Sequence, residues 1–252
     1  MPRKRKEVND ELNEINEMDC FIKKTSRKLD FKVKLKFKNE KQKLLYDTIL
    51  DNRITFVSGS PGTGKTLISL MAALDIIKNN KQYGDIIISK PMIEIGKSMG
   101  YLKGNIAEKS YSYFTNYYDN LVKLIGPAQT SFLKENFIVK ESVLNFLRGS
   151  TFNTLGPDGN PIGSIVILDE SQNTTIHEMK TFISRMGEGS KLIILGDPEQ
   201  IDIKLMKGEK CGLVDAIDRL MGISGIGLVE FNDDDIVRDP FLIEIMKRYK
   251  NP

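Results

Sequence analysis

The chain of 252 residues carries a formal net charge of +3, and 40% of its residues are hydrophobic and 28% charged. This balance is typical of a globular protein with one large domain or a domain with appendages. His177 is the only histidine, which excludes metal sites built from several histidines and argues against a Ser-His-Asp triad. Neither Cys20 nor Cys211 has a neighbour at metal-ligand spacing, and two cysteines provide no disulfide framework. Because no apolar run reaches membrane-spanning length and no signal peptide is evident, we expect a cytoplasmic protein without a membrane partner.

The amino-terminal part of the chain is rich in lysine and arginine. Residues 1–30 predict a basic arm, either a solvated and partly disordered tail or a segment that follows a phosphate backbone. The stretch Phe31–Lys38 alternates apolar residues with lysines, which predicts a strand with four lysines on one face. Lysines in this arrangement also protect edge strands from pairing, so their purpose stays open. Residues 39–51 predict a helix, and we assign residues 31–252 to one domain.

A strand, a glycine-rich turn and a helix follow one another between residues 54 and 77. The turn has the spacing G-x-x-x-x-G-K-[ST] of a nucleoside-triphosphate P-loop. Its eight residues are Gly59, Ser60, Pro61, Gly62, Thr63, Gly64, Lys65 and Thr66. Glycines allow backbone N–H groups to surround phosphate oxygens, Lys65 can reach the β- and γ-phosphates, and Thr66 can offer its hydroxyl to Mg²⁺. The stretch therefore predicts a binding site for ATP or GTP, since a simple connecting turn does not require this match.

Short apolar strands alternate with helices along the rest of the chain. The sequence predicts strands at 85–89, 164–168, 191–195 and 227–231, weaker strands at 137–139 and 150–154, and helices at 175–186, 213–221 and 240–249. Residues 98–136 predict a helical insertion whose tyrosines either pack against the domain or stack on nucleic-acid bases. This alternation predicts an α/β fold, in which a parallel sheet is covered by helices on both faces. Ligands then bind at the carboxyl ends of the strands.

Acidic and amide side chains directly follow two of the predicted strands. Asp169 and Glu170 come after four apolar residues, which is the pattern of a Walker B element. Asp169 would orient Mg²⁺ opposite Thr66, and Glu170 would polarise the water that attacks the γ-phosphate. Gln200 follows the next strand and suits a sensor of the γ-phosphate, while Asp197 would brace that loop. A second carboxylate after the metal aspartate indicates hydrolysis rather than transfer to a small molecule.

Several segments, in one order along the chain, resemble the PhoH-like ATPases, including the single-domain forms carried by phages. They are the P-loop, ILDESQN at 167–173, LGDPEQID at 195–202, and the segments 90–109, 147–152 and 235–240. The resemblance covers residues 39–250 and implies a RecA-like P-loop fold, similar to the first motor domain of superfamily 1 helicases. It also implies that Gln42 recognises adenine, which favours ATP over GTP, and that Arg238 approaches the γ-phosphate. The implied cofactors are ATP and Mg²⁺.

Three positions depart from the pattern of this family. Ser171 replaces a usual alanine, which should leave Mg²⁺ binding intact. Lys90 replaces a usual arginine and so keeps the charge but loses bidentate phosphate geometry. Asp239 stands where a basic residue is usual, which puts the local charge in doubt. We expect no ribonuclease-linked activity, because no nuclease-like domain precedes this core.

In a nucleotide site between two motor domains, the second domain supplies an arginine that stabilises the transition state. This sequence predicts only one motor domain. Loss of such an arginine lowers the rate of hydrolysis by orders of magnitude. We therefore expect a ring-like homo-oligomer, a hexamer by resemblance to other single-core ring ATPases, with Arg238 or Arg148 acting in trans. The other interpretation of Arg238 is a surface pairing with the acidic run Asp233–Asp235.

The sequence thus predicts an ATPase whose Mg²⁺-dependent hydrolysis is coupled to single-stranded RNA or DNA as a translocase or unwinding factor, with RNA preferred. Two alternatives belong to other classes. One is a regulatory or assembly protein in which hydrolysis switches a partner without nucleic acid. The other is a small-molecule kinase, against which the pair Asp169-Glu170 argues.

Overall fold

The computed structural model describes residues 29–34, 36–91, 106–147, 149, 151–156 and 159–238, together with four single positions between 241 and 248. Within these ranges the chain forms six α-helices, namely α1 Glu40–Asp51, α2 Lys65–Asn79, α3 Ile106–Ile125, α4 Pro127–Glu135, α5 Ile176–Ile183 and α6 Gly212–Leu220. The strands are β1 Ile54–Gly59, β2 Tyr83–Lys90, β3 Val139–Val143, β4 Asn153–Leu155, β5 Pro161–Leu168, β6 Lys191–Gly196 and β7 Ile226–Phe231. Short 3₁₀ turns span Leu144–Leu147, Ser171–Asn173 and Asp233–Asp235.

The strands form one sheet in the order β3-β2-β5-β6-β1-β7, in which all neighbours run parallel. The short strand β4 adds an antiparallel pairing at the start of β5. Parallel neighbours require crossover connections, and helices supply them here. The predicted α/β fold with a parallel sheet is therefore confirmed.

Helices cover the sheet on both faces because the central strands are apolar on both sides. In β5, Ile165 and Ile167 point to the face covered by α1, α2, α3 and α4. Val166 and Leu168 point to the opposite face, which α5 and α6 cover. All four side chains are fully buried, as is usual for strands of a parallel sheet between two helical layers. This rigid frame fixes where each strand ends and hence where the site lies.

The predicted insertion between β2 and β3 contains two helices within its described part, α3 and α4. Helix α3 buries Phe114, Tyr117 and Leu121 against the core on the first face. The sequence predicts that the tyrosines of the insertion either pack against the domain or stack on bases, and Tyr117 packs against the domain. The amino-terminal end of the insertion lies outside the described residues.

The prediction of a strand at Phe31–Lys38 is wrong. The described residues of this stretch form no ladder with the sheet, and Lys34 N–H instead donates to Leu124 O at the end of α3 at 2.8 Å. Phe31 is buried, Val33 is half-buried and the described lysines are exposed, but Phe37 is exposed as well. The alternation in the sequence is therefore matched by burial only at the start of the stretch. The described part of the stretch contacts the end of a helix and not the edge of the sheet. An alternating sequence is therefore not sufficient to form a β-strand, which also needs a neighbouring strand for its hydrogen bonds.

Several other predictions lie outside the described residues or differ from the structure in their bounds. The basic arm at 1–30 lies almost entirely outside the described residues, as does most of the closing helix at 240–249. The weak strand at 137–139 begins two residues later, at Val139, and the weak strand at 150–154 is reduced to β4. No helix among the described residues is long and apolar enough to cross a membrane.

The start of β5 is packed so closely that it tolerates no added side chain. A Cβ at Gly163 would lie 2.4 Å from the carbonyl oxygen of Gly189, whereas the atoms nearest to one at Gly84 on β2 belong to the side chains of Thr154 and Ile162. We expect Gly163→Ala to lower the free energy of unfolding by about 2 kcal/mol, because backbone cannot move aside. The matched change Gly84→Ala should cost less than about 1 kcal/mol. Urea unfolding of both variants checks the ranking, and equal losses would contradict it.

Candidate nucleotide-hydrolysis site

Polar residues gather at the carboxyl edge of the sheet, where adjacent strands end. The P-loop follows β1, and Asp169 and Glu170 follow β5. Asp197 follows β6, which lies between those two strands, and Asp233 follows β7 on the other side of β1. The order of strands therefore brings together residues that are up to 174 positions apart. This is the edge at which ligands bind in open parallel sheets.

The P-loop has the backbone shape that encloses phosphate. Gly62 and Gly64 have φ values of 82° and 92°, a region that side-chain-bearing residues avoid. Gly64 is also the N-cap of α2, and no side chain caps that end of the helix. The N–H groups of the first turn of α2 are consequently left for a ligand, and a phosphate oxygen satisfies such groups.

Gln42 on α1 supports the P-loop from one side. Its side chain is 3% exposed, and its amide nitrogen donates to Thr63 O at 2.9 Å. Its amide oxygen accepts from Lys38 N–H at 2.8 Å. Both ends of the amide are thus bonded within the protein. The adenine contact stays a prediction, and it would require Gln42 to exchange one of these bonds.

The segment after β7 supports the P-loop from the other side. Ser60 donates its hydroxyl to Asp233 at 2.6 Å, and Val237 N–H donates to Gly62 O at 3.1 Å. Thr63 closes the loop internally by donating to Ser60 O at 3.1 Å. Because backbone and side chains from two elements support it, the P-loop keeps its shape through contacts outside its own sequence.

Arg238 lies against the P-loop of its own chain. A Cβ placed on Gly62 would come within 2.4 Å of Arg238 Nε, so the arginine covers this glycine directly. The residue is exposed. The acidic neighbour Asp235 forms its ion pair with Lys41 at 3.2 Å. The structure therefore brings Arg238 to the site without a neighbouring subunit, and action in trans stays a prediction. Arg148 lies outside the described residues.

Lys65 is folded back over the loop it belongs to. Its ammonium donates to Gly59 O at 2.5 Å and to Ser60 O at 2.8 Å. Burial lowers the pKa of Lys65, and the nearby carboxylates of Asp197, Asp169 and Glu170 oppose that shift. A partly buried cation surrounded by carboxylates is well placed for an incoming polyphosphate, whose charge would compensate its desolvation.

Thr66 and Asp169 meet as the Walker pattern predicts. The Thr66 hydroxyl donates to Asp169 Oδ2 at 2.8 Å, and Glu170 N–H donates to Asp169 Oδ1 at 2.8 Å. The described residues contain no cluster of three or more His, Cys, Asp or Glu that could hold a metal ion alone. One hydroxyl and one carboxylate fit Mg²⁺, which takes few protein ligands and completes its shell with phosphate oxygens and water.

Glu170 has an unusual backbone conformation, and its side chain is bonded to its neighbour Gln172. Its φ is 55°, one of two positive values outside glycine among the described residues. Its carboxylate accepts from Gln172 Nε2 at 2.8 Å. Strain of this kind is maintained only where surrounding contacts determine the conformation. The exposed side chain of Glu170 is therefore directed by a neighbour that is 1% exposed.

Gln172 also joins the loops that follow β5 and β6. Its Nε2 donates to Gln200 O at 3.1 Å, and its Oε1 accepts from Asp197 N–H at 3.0 Å. Asp197 in turn accepts from Gln200 Nε2 at 3.0 Å, so its predicted bracing role is observed. Sequence reasoning did not select Gln172. Its place directly after the two Walker B carboxylates was the signal that could have identified it.

Tyr117 is the second residue that sequence reasoning missed. Its hydroxyl donates to Asp169 Oδ2 at 2.8 Å, from within the helical insertion. The Lys90 ammonium lies 4.9 Å from the centre of the Tyr117 ring and 5.3 Å from that of Tyr113. No local motif signals this contact, because α3 lies about fifty residues before the Walker B carboxylates.

The chain is similar to a known protein family. A family model described as "PhoH-like protein" matches residues 34–250. The chain belongs to the PhoH family. It is 39% identical to the PhoH-like protein of Bacillus subtilis over 79% of this chain and 58% of the relative. It is 33% identical to protein PhoH of Escherichia coli over 84% of this chain and 57% of the relative. The PhoH resemblance is thereby confirmed, and the chain spans somewhat more than half the length of these relatives.

Two helicase structures are also similar to this PhoH-family chain. The UvsW helicase from bacteriophage T4 shares 15% identity with a TM-score of 0.43, over 77% of this chain and 59% of that one. The Pif1 helicase from Bacteroides, in complex with ADP-AlF3 and ssDNA, shares 18% identity with a TM-score of 0.42, over 86% and 47%. The ligands belong to that Pif1 structure.

The contacts of Gln172 predict how a single charge should affect the site. Gln172→Glu keeps the acceptor for Asp197 N–H but places a carboxylate against Glu170, so like charges repel. We expect NTP turnover to fall about tenfold or more, as one charged hydrogen bond is worth about 1.5–3 kcal/mol. Steady-state phosphate release measures this.

Asn173→Asp is the matched control. It also places a carboxylate against a carboxylate, because Asn173 Nδ2 donates to Asp202. Asn173 contacts Glu170 only through its backbone N–H, which donates to Glu170 O and which the change preserves. Both variants should lose similar stability in thermal melts. If Asn173→Asp slowed turnover as much as Gln172→Glu, the specific role of Gln172 would be wrong.

Proposed function

We propose that this PhoH-family protein hydrolyses ATP with Mg²⁺ and couples hydrolysis to single-stranded nucleic acid, preferably RNA. The observation that carries the proposal is the bond of 2.8 Å between Thr66 Oγ1 and Asp169 Oδ2, which brings the P-loop and the Walker B element to one point. Glu170 follows Asp169 directly and is held by Gln172. The alternative of a small-molecule kinase has no comparable support.

Three side chains of the chain would bind the nucleotide and its metal. Thr66 and Asp169 would hold Mg²⁺, with the threonine proton still given to the carboxylate. When bound, Mg²⁺ neutralises developing charge on the β- and γ-phosphate oxygens. Lys65 would exchange its bonds to Gly59 O and Ser60 O for phosphate oxygens. The uncapped first turn of α2 would bind the remaining oxygens.

Glu170 would act on the attacking water. Its carboxylate accepts a proton as the water oxygen bonds to the γ-phosphorus and the bond to the β–γ bridging oxygen breaks, which releases ADP and phosphate. Gln172 donates to that carboxylate and so keeps its free lone pairs directed outward. Gln200, exposed and bonded to Asp197, would respond to the presence of the γ-phosphate. Arg238 would add positive charge over Gly62.

The distribution of charge supports nucleic-acid coupling. Lys32, Lys34, Lys36 and Lys38 are all exposed in the segment that precedes α1. Closely spaced lysines bind phosphate backbones by releasing counterions. The alternative is a switch protein that hydrolyses ATP without nucleic acid. A ring-like homo-oligomer, a hexamer by resemblance, remains part of the proposal, and native mass spectrometry measures it.

Two substitutions separate binding from chemistry. Lys65→Ala should abolish ATP binding or turnover, because it removes the cation that meets the phosphates. Glu170→Gln should still bind ATP but lose turnover by about 10²–10⁴-fold, the usual contribution of a general base. Calorimetric binding and phosphate release measure the two effects. Glu188→Gln, an exposed glutamate at the opposite edge of the sheet, is the control and should behave as wild type. Normal turnover by Glu170→Gln would refute the assigned role.

The four exposed lysines allow a test of nucleic-acid coupling. We expect single-stranded RNA to stimulate the ATPase rate and rising salt to remove that stimulation, with a slope of about −0.7 per phosphate contact. Replacing all four lysines by glutamine should reduce the slope and leave the rate without RNA unchanged. Lys38 supports Gln42 only through its backbone N–H, which the change preserves. An ATPase indifferent to RNA and DNA would favour the switch protein.

A further inference from the structure

Tyr117 connects the helical insertion to the proposed metal site. Its hydroxyl and that of Thr66 both donate to the same oxygen, Asp169 Oδ2, each at 2.8 Å. We propose that Tyr117 is a positioning residue, which orients the Asp169 carboxylate for Mg²⁺ and makes metal binding depend on the docking of α3. This inference rests on the proposed function of the site, and it concerns a residue outside the P-loop and Walker B motifs.

The hydrogen bonds of Asp169 determine the orientation of its carboxylate. Oδ1 accepts from Glu170 N–H, a backbone group of the same loop. Oδ2 accepts from Thr66, at the start of α2, and from Tyr117, on α3. The Thr66 oxygen would itself bind Mg²⁺, so Thr66 would serve both as a metal ligand and as a donor to Oδ2. Tyr117 is the donor to Oδ2 that would have no second task.

The chemistry of a buried phenol suits this task. Tyr117 is 1% exposed, and its hydroxyl reaches Asp169 from inside the packed insertion. A phenol carries its proton at neutral pH and is therefore available as a hydrogen-bond donor. It is also neutral, so it orients Asp169 without cancelling the charge that Mg²⁺ needs. A lysine or arginine at this point would form an ion pair with Asp169 and compete with the metal.

The position of the Tyr117 ring depends on how α3 packs. Phe114 and Leu121, three residues before and four after, are buried on the same side of the helix. Lys90, the last residue of β2, places its ammonium 4.9 Å from the ring centre. Asp169 N–H donates to the preceding residue of that strand, at Ser89 O and 2.9 Å. A shift of α3 would withdraw the hydroxyl from Asp169 while leaving the Walker motifs unchanged.

The coupling has a direction that an experiment can detect. Some contacts contribute to nucleotide affinity only when Mg²⁺ is bound, and others contribute without it. Tyr117 should affect only the Mg²⁺-dependent contribution. Substitution of a residue that orients a metal ligand costs about 10- to 100-fold in metal affinity. Tyr117→Phe removes only the hydroxyl and keeps the buried ring. We expect it to raise the Mg²⁺ concentration at half-saturation about tenfold or more, with nucleotide affinity in EDTA unchanged.

The experiment is calorimetric titration of the full chain with a non-hydrolysable ATP analogue, in EDTA and over a series of MgCl₂ concentrations. Tyr118→Phe is the matched control, because the Tyr118 hydroxyl also donates to a carboxylate, that of Glu141 on β3. It lies on the same helix and does not contact Asp169. Thermal melts of both variants report any general loss of packing. The expected result is a Mg²⁺ shift for Tyr117→Phe alone.

Three results would overturn the inference. One is that Tyr117→Phe shows the same Mg²⁺ dependence as the wild type, which contradicts the role of Tyr117 but not the proposed function. Another is an equal shift in Tyr118→Phe, which indicates loosening of α3 as a whole. The third is a wild-type protein whose affinity for the analogue is the same in EDTA and MgCl₂, which removes the proposed metal site and this inference together.

Discussion

The Asp169 carboxylate is the point on which the site depends. It is buried, and its oxygens accept from Thr66, Tyr117 and the backbone of Glu170. A buried charge is costly unless hydrogen bonds surround it. The donors come from α2, from α3 and from the loop after β5, so satisfying this charge fixes three elements relative to one another. The same contacts orient the carboxylate, which is the arrangement that a divalent cation needs.

A second set of bonds organises the loops that follow β5 and β6. Gln172 donates to Glu170 and to Gln200 O, and it accepts from Asp197 N–H. One buried amide thereby sets the spacing between the residue proposed to act on water and the loop proposed to respond to phosphate. Partial loss of such a network is more costly than its individual bonds indicate, because each remaining polar group stays buried. The left-handed backbone of Glu170 persists because these neighbours determine it.

Sequence reasoning found the parallel sheet, and it placed the P-loop and the pair Asp169-Glu170 at the strand ends where the structure has them, because periodic burial and short motifs are local properties. The roles of these residues stay predictions. Sequence reasoning failed at Phe31–Lys38, where the sequence alternates but the backbone of Lys34 bonds to the end of a helix instead of a strand. It could not find Tyr117, whose contact joins positions 52 apart through the docking of α3. It also could not find the bond of Gln42 to Thr63 O, which depends on where α1 packs against the P-loop. The adenine contact of Gln42 stays a prediction from resemblance. Local sequence patterns do not reveal how one helix packs against another part of the fold.

The contact between Ser60 and Asp233 joins residues 173 positions apart. Closing so large a loop costs conformational entropy that only the assembled sheet can offset. During folding the P-loop sequence is therefore present well before its supported shape exists. A nucleotide that binds only the finished shape adds its binding energy to the native state. ATP would then act on this protein as a stabilising ligand as well as a substrate, and it would discriminate the completed fold from partly folded chains that already contain every motif.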